Sequence, residues 1–233
     1  NSAELIKVSA NAFLALKISF ANSIAKLADK VDADVVEVMD AVGADERIGR
    51  AFLNAGRGYG GGCFPKDVSG LISSGLENGI DLEVMQAAQA LNRSMPGYVV
   101  EKLKNNIGEL GDKKVAVLGL AFKSGTSDVR KSPGVAIANV LSHAGVQTIA
   151  HDPQANEEAK EDLRRDVVLS NNILQAVQGV DAIIIATEWP EFTSLDLIEC
   201  KKQMKGTVLL DAVNIIEKAS AESAGLQYIG VGR

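Results

Sequence analysis

Cysteine is scarce in this 233-residue sequence, which holds two, at 63 and 200. Two thiols so far apart give no disulfide framework, and such usage suits a reducing cytoplasm. Histidine is equally scarce, and both copies, His143 and His151, fall in the second half. A cysteine hydrolase sets a histidine beside its thiol, so Cys63 has no such base in its own half. Positive charge is short as well: 24 Lys and Arg stand against 30 Asp and Glu, for a net charge of -6. That balance excludes nucleic-acid binding through broad phosphate neutralisation, although a small anion could still be held locally. No uninterrupted apolar run approaches ~20 residues, so no membrane span is expected. The start carries no signal-peptide pattern, and no metal is expected.

What the chain does have is apolar content, 46% of its residues, enough for one large core or two ordinary ones. Residues 3 to 30 contain no Gly or Pro, and Leu5, Val8, Phe13, Leu16, Phe20, Ile24 and Leu27 recur at helical spacing. Ile6, Leu14 and Ile18 add apolar character on another side, which suits a helix packed on several faces or in a dimer. Further helices are expected from Ala33 to Gly43, from Gly49 to Ala55, from Pro65 to Leu76, and from Leu82 to Asn106 with a kink or break at Pro96. The first hundred residues therefore read as all-α.

A polar, glycine-bearing junction at 108–114 changes the pattern. Val115–Leu118, Val146–Ala150, Ala182–Ala186 and Val208–Asp211 are continuous apolar strands, separated by helical stretches such as Gly134 to His143 and Asn172 to Gln178. Apolar strands alternating with helices predict a doubly wound parallel sheet covered on both faces. The expected organisation is a helical domain over 1–107 and a Rossmann-like domain over 108–233.

The densest signal is Gly56-Arg57-Gly58-Tyr59-Gly60-Gly61-Gly62-Cys63-Phe64-Pro65-Lys66-Asp67. Gly56, Gly58 and Gly61 fit the G-x-G-x-x-G string, but a dinucleotide fingerprint must follow a strand, and here the surroundings are helical. The first strand ends in Gly119-Leu120-Ala121-Phe122-Lys123, also without spaced glycines. Asp152, closing the second strand, is either a ligand-binding acid or an acid in a turn. Pro65 suits a first helical position, so Cys63 is expected at a helix mouth, where unpaired N–H groups and the dipole favour a thiolate. Cys200 has no such setting.

These residues resemble the central and C-terminal parts of the UDP-glucose 6-dehydrogenases, within the nucleotide-sugar dehydrogenases. The likeness is carried by Glu4-Leu5-Ile6-Lys7-Val8-Ser9-Ala10-Asn11, by Arg47-Ile48-Gly49 through Asp67, by Gly119-Leu120-Ala121-Phe122-Lys123 and by Asp128-Val129-Arg130-Lys131-Ser132-Pro133. The resemblance implies a helical dimerisation domain like the C-terminal part of 6-phosphogluconate dehydrogenase, followed by a Rossmann-like domain for the UDP moiety. It also implies a preceding NAD-binding domain absent from this sequence.

By the same resemblance, Cys63 is the nucleophile of a four-electron oxidation of a primary alcohol, passing through a thiohemiacetal and a thioester. Lys7 and Asn11, four apart on one helix face, hold the developing oxyanions. Asp67 assists proton transfer and positions the hydrolytic water. Phe52, Leu53, Asn54, Tyr59 and Gly60 form a loop over the nucleotide sugar, and Phe122 and Lys123 are the second domain's contacts. Arg47 reaches the active site of the partner in a homodimer, and Arg130 touches NAD. The family commonly places an arginine on the sugar in Asp-Gly-Arg-Asn, where this chain has Asp211-Ala212-Val213-Asn214. GDP-mannose or another UDP-sugar is therefore an alternative substrate, and a non-catalytic sugar-nucleotide-binding dimerisation module is an alternative of another class.

Overall fold

A computed structural model describes residues 2–233, which form two compact units: residues 2–95 with 231–233, and residues 96–230. The first unit is helical. Helix α1 (Ser2–Val31) is the long helix expected from the Gly- and Pro-free stretch, and it ends where Asp32 turns to a φ of 58°. Its buried side is small: Ala12, Ala15, Ala21, Ala25 and Ala28, with Ser19 and Asn22. Small residues let neighbours approach closely, and α1 packs on α2 (Val35–Gly43) and α3 (Phe64–Glu77). The Asp34 side chain caps α2 by accepting the Val36 N–H at 2.8 Å. The chain's last residues return to this unit, where Gly232 donates to Asp29 Oδ1 at 3.1 Å and accepts from Val35 N at 2.8 Å.

By length and mean hydropathy, α1 reaches what a membrane-crossing helix needs. Lysines at 7, 17, 26 and 30 punctuate the helix, so it holds no uninterrupted apolar run of that length. Three of its four lysines, at 7, 17 and 26, have a polar partner in the helical unit: Asp67, the carbonyls of Ile48 and Gly49, and Ser94. The opposite face of α1 leaves Ile6, Phe13, Phe20 and Leu27 exposed. These recur every seven residues and so form one stripe.

Two expectations fail here, a helix over 49–55 and a break at Pro96. The segment 49–55 is turn and loop, not helix: Gly49 and Phe52 take φ of 69° and 65°, which no α-helix accommodates. Helix α4 (Glu83–Ile107) runs through Pro96 without a break. Pro96 has no N–H for the carbonyl one turn earlier, and the two compact units divide between Met95 and Pro96, inside α4 rather than at its end.

The second unit is a six-stranded parallel sheet in the order β3-β2-β1-β4-β5-β6. Its strands are β1 (Lys114–Leu118), β2 (Gln147–His151), β3 (Val168–Leu169), β4 (Ala182–Ile185), β5 (Val208–Asp211) and β6 (Gln227–Gly230). Central β1 pairs on both sides, Val117 lying opposite Ala150 and Ile184. Strands β1, β4 and β5 are buried almost throughout, as strands covered on both faces must be. The order reverses between β1 and β4, the switch point where doubly wound sheets bind ligands. Helix α5 (Pro133–His143) begins there, capped by Ser132. Gly119 and Gly134 make the approach possible, since a Cβ on Gly134 would lie 2.2 Å from the Gly119 carbonyl oxygen.

Candidate active site

Cys63 is the N-cap residue of α3, exposed, with its thiol unused in capping. Phe64 is the first helical residue, so Pro65 stands second rather than first. The Cys63 carbonyl accepts the Asp67 N–H at 2.8 Å, which fixes the backbone under the thiol and places Asp67 one turn on. Unlike Cys63, Cys200 is fully buried, and burial pushes its thiol up to about 11.

Helix α1 brings the next two groups. Lys7 Nζ and Asn11 Nδ2 each donate to Asp67 Oδ2 at 2.5 Å. The Asp67 side chain is 7% exposed and that of Lys7 60%, so a buried carboxylate is matched by an ammonium reaching water. The bonds from Lys7 first and Asn11 second hold the Asp67 carboxyl below its ordinary 3.8. Packing sets the approach: Ala12 and Ala15 of α1, Val68 of α3 and Tyr59 form one buried cluster, with Phe64, Leu71 and Met85 against it. The spacing of Lys7 and Asn11 placed both on one helix face. That they converge on Asp67, across some sixty positions of sequence, is visible only in the fold.

The glycine run lies between the helices as a loop. Gly56 N–H donates to Asn22 Oδ1 at 2.7 Å. Tyr59 N–H donates to Asn92 Oδ1 at 2.8 Å, and Asn92 Nδ2 donates to the Tyr59 carbonyl at 3.0 Å. Sequence reasoning missed both asparagines; the available signal was an amide on the alanine-lined face of α1 and another in the middle of α4. Tyr59 is buried, meets Phe64 edge-on at 6.0 Å, and Phe64 meets Phe52 at 6.0 Å. Burial pushes the Tyr59 phenol up. Phe52 is 41% exposed in a left-handed conformation that a bulky residue adopts only under constraint. Leu53 is 2% exposed, with its side chain packed in the core and its N–H donated to the Arg50 carbonyl at 3.2 Å. Gly60 is buried, and Asn54 is exposed and accepts from Arg50 Nη1 at 2.8 Å. Arg47 is exposed and paired with Asp45 at 2.5 Å.

In the second unit, Phe122 follows the switch-point turn and its N–H donates to the Asp128 carbonyl at 3.0 Å. Lys123 is exposed, with Nζ 5.6 Å from the Phe122 ring centroid. Arg130 is exposed and forks onto Asp128, donating from Nε at 3.0 Å and from Nη2 at 2.6 Å. Asp211 closes β5 and accepts the N–H groups of Ile216 at 2.6 Å and Val213 at 3.1 Å, which fold the loop carrying Val213.

Asp152 is the acid in a turn. Its Oδ2 accepts from Leu120 N, Ala121 N and Trp189 Nε1 at 2.7, 2.9 and 3.0 Å, and its Oδ1 from Gln154 N and Ala155 N, both at 2.9 Å. At 2% exposure it pins three loops and has no room for a ribose. Asp152→Asn turns an amide N–H toward donors that need an acceptor. Urea denaturation is expected to show a loss of about 2–4 kcal/mol, with the alkylation rate of Cys63 unchanged.

Neither glycine loop fits NAD. The Gly56–Gly61 string follows no strand, and its Gly56 and Tyr59 N–H groups are taken by Asn22 and Asn92. After β1, the Leu120 and Ala121 N–H groups that would face a pyrophosphate are taken by Asp152.

Comparison with known proteins agrees with both units. Residues 1–94 match the model of the UDP-glucose/GDP-mannose dehydrogenase family central domain, and residues 116–218 that of the family's UDP binding domain. The UDP-glucose 6-dehydrogenase TuaD of Bacillus subtilis (strain 168) is 40% identical over 232 residues, covering 100% of this chain and 50% of the relative. Among solved structures, a UDP-glucose dehydrogenase from Pyrobaculum islandicum matches with a TM-score of 0.89 and 40% identity, over 99% of this chain and 51% of that one. A UDP-D-ManNAc dehydrogenase from Pyrococcus horikoshii matches with a TM-score of 0.83 and 30% identity, over 100% of this chain and 52% of that one. The chain thus spans about half the length of the relatives it matches. With both of its units matched in order, the chain belongs to the UDP-glucose/GDP-mannose dehydrogenase family.

Proposed function

We propose that this chain is the thiol-bearing and UDP-sugar-binding portion of an NAD-dependent UDP-glucose 6-dehydrogenase, which oxidises UDP-glucose to UDP-glucuronate. The observation that carries the reading is the Lys7–Asp67–Asn11 cluster one helical turn from an exposed N-cap cysteine. Asp67, held ionised, takes part in removing the proton of the 6-hydroxyl. Lys7 and Asn11 keep N–H donors for the alkoxide and later for the tetrahedral oxyanions. Cys63 adds to the aldehyde to give a thiohemiacetal, whose oxidation gives a thioester. Asp67 then orients the water that hydrolyses it. NAD, held outside the two loops described above, would supply the hydride acceptor for both oxidations.

Phe52, Leu53, Asn54, Tyr59 and Gly60 are assigned to the sugar nucleotide, as are Phe122 and Lys123 of the second unit. A flexible ammonium such as Lys123 suits a diphosphate as a point charge. Arg130 is assigned to NAD. The helical unit is of the 6-phosphogluconate dehydrogenase C-terminal-like kind, and an exposed free thiol is suited to a reducing cytoplasm. Val213 offers no donor where relatives place an arginine, so GDP-mannose or another UDP-sugar is the second reading.

The α1 stripe supports a homodimer through the helical domain, with Arg47 lent to the partner's site. Phe13→Glu with Phe20→Glu places charge in the middle of that stripe, and analytical ultracentrifugation is expected to show a dimer becoming a monomer. A dimer that survives both changes overturns the assignment of the interface to α1.

The function is tested by joining the chain to an NAD-binding domain from a UDP-glucose 6-dehydrogenase and following NADH with UDP-glucose, GDP-mannose and UDP-N-acetylmannosamine. Turnover is expected with UDP-glucose in the joined protein and none with the chain alone. NADH production by the chain alone would overturn the placement of the hydride acceptor. A joined protein that folds and oxidises none of the three sugars would overturn the function.

A further inference from the structure

We propose that Asn92 of α4, seconded by Asn22 of α1, is a positioning residue that sets where the Cys63 thiol stands. Between Tyr59 and Cys63 the chain is Gly60-Gly61-Gly62, and Gly61 is left-handed at a φ of 84°. Three glycines bring no side chain to anchor themselves and carry the largest conformational entropy of any residue. The thiol's position must then be fixed from the two ends of this run. At the far end it is fixed by the first turn of α3, where Asp67 N–H meets the Cys63 carbonyl. At the near end it is fixed by an amide.

Asn92 grips the Tyr59 backbone twice, accepting its N–H at 2.8 Å and donating to its carbonyl at 3.0 Å. Asparagine is the shortest side chain that carries its donor and its acceptor on separate atoms of one planar amide, so it pairs with a residue's backbone much as a neighbouring strand would. The grip dictates the residue before it. Gly58 has a φ of 93°, and a Cβ there would sit 2.5 Å from Asn92 Oδ1. Asn22 holds the start of the loop through Gly56 N–H. Asn22 is fully buried, and its Nδ2 has no hydrogen-bond partner among the described residues. An unsatisfied buried donor is unfavourable, so stability alone does not explain an amide at this point.

The two asparagines lie one turn beyond a fixed point between the helices, where Ser19 Oγ donates to the Ala88 carbonyl at 3.1 Å. The loop is thus laid across a fastened α1–α4 pair. Its Tyr59 ring bears edge-on upon Phe64, the residue next to the thiol. A chain of contacts runs from Asn92 through Tyr59 and Phe64 to Cys63, and none of its middle members is a charged or reacting group.

This inference rests on the proposed dehydrogenase reading for its rate effects but not for its geometry, so the test has two kinds of readout. Asn92→Ala, Asn92→Asp and Gly58→Ala are made in the isolated chain and in the joined protein described above. Aspartate keeps the acceptor for Tyr59 N–H but turns an oxygen toward the Tyr59 carbonyl. In the isolated chain, hydrogen exchange at the Tyr59 amide is expected to accelerate about tenfold or more in Asn92→Ala, and iodoacetamide labelling of Cys63 to change in rate. In the joined protein, kcat is expected to fall by about 10- to 100-fold, as displacement of a reacting atom by an ångström produces, with KM for UDP-glucose rising by a smaller factor, because Tyr59 and Gly60 also belong to the proposed sugar-nucleotide loop.

Gly58→Ala is expected to cause a similar fall. Combined with Asn92→Ala it should cause less than the product of the two, because the clash it creates is with the Asn92 side chain. Variants that unfold earlier on heating but keep Cys63 labelling and kcat would show a merely structural asparagine and overturn the proposal. Should Asn92→Ala fail to fold, the same readouts on Asn92→Asp and Gly58→Ala decide. If the unsubstituted joined protein oxidises no sugar, the functional reading fails, and exchange with labelling still decides this one.

Discussion

Alanine in place of Cys63 is expected to lower kcat for oxidation of UDP-glucose to the carboxylate on the order of 10³-fold or more. Stability should barely move. The thiol makes no capping bond, the side chain is exposed, and the Cys63 carbonyl that receives the Asp67 N–H stays in place. Serine sharpens the test, because serine is among the favoured N-cap residues and its hydroxyl can take up a first-turn N–H. Cys63→Ser is therefore expected to melt no lower than the parent while being nearly as inactive as Cys63→Ala. NADH release and carboxylate product in the joined protein give the rates, and a thermal melt gives the stability. A Cys63→Ala protein within about tenfold of the parent would remove the covalent thioester from the mechanism and leave a sugar-nucleotide-binding dimerisation module as the better reading. The companion measurement is alkylation by iodoacetamide near neutral pH. Label should appear at Cys63 well before Cys200, which is fully buried and whose thiol ionises only at about 11.

The parts of this architecture that were legible in the sequence are those decided locally. Helix α1 announced itself by the absence of breakers, and the four long apolar strands by their composition and by the helices between them. The position of Cys63 at a helix mouth followed from the proline and the periodicity behind it. What stayed hidden depends on contacts between distant segments. Strand β3 is two residues long and β6 is short with a glycine at its end, so neither builds a pattern. The segment at 49–55 contains good helix formers, yet it is unwound at Phe52, a residue whose identity gives no hint of a positive φ.

Asp152 could be a ligand-binding acid or a turn acid until its five N–H donors were located. The same holds inside the site. Lys7 and Asn11 were assigned by family resemblance alone, because nothing within α1 says that both meet a carboxylate on α3. Asn22 and Asn92 carried no motif, and only the folded loop gives them partners.

The second large effect is expected at the Lys7–Asp67 pair, and its pH dependence separates electrostatics from packing. Asp67→Asn keeps the shape and loses the charge, and is expected to lower kcat by about 10²–10⁴-fold, the range for a proton-transfer group. Lys7→Met keeps most of the apolar stem and removes a donor to the oxyanion, for a fall of about 10²–10³-fold. If both residues serve one cluster, the double variant loses less than the product of the two.

Stability gives an independent reading. The Asp67 carboxyl is held below its ordinary 3.8, first by Lys7 and then by Asn11. A depressed carboxyl contributes stability that is present above 3.8 and is lost as pH falls through its folded-state value. In Lys7→Met that value moves back up toward the ordinary one, since only the Asn11 bond and the nearby Lys66 charge remain to lower it. The variant is thus expected to be less stable than the parent by about 1–2 kcal/mol at neutral pH, a figure kept small because the Lys7 side chain is largely in water. The difference should shrink as pH falls below the ordinary carboxyl value, where Asp67 protonates in both proteins and the ammonium has no charge left to meet. Urea midpoints measured at neutral pH and again in acid give the two ends of that curve. A gap of the same size at both ends would mean that Lys7 contributes through its stem alone, and the depressed carboxylate on which the proton-transfer role of Asp67 depends would lose its cause.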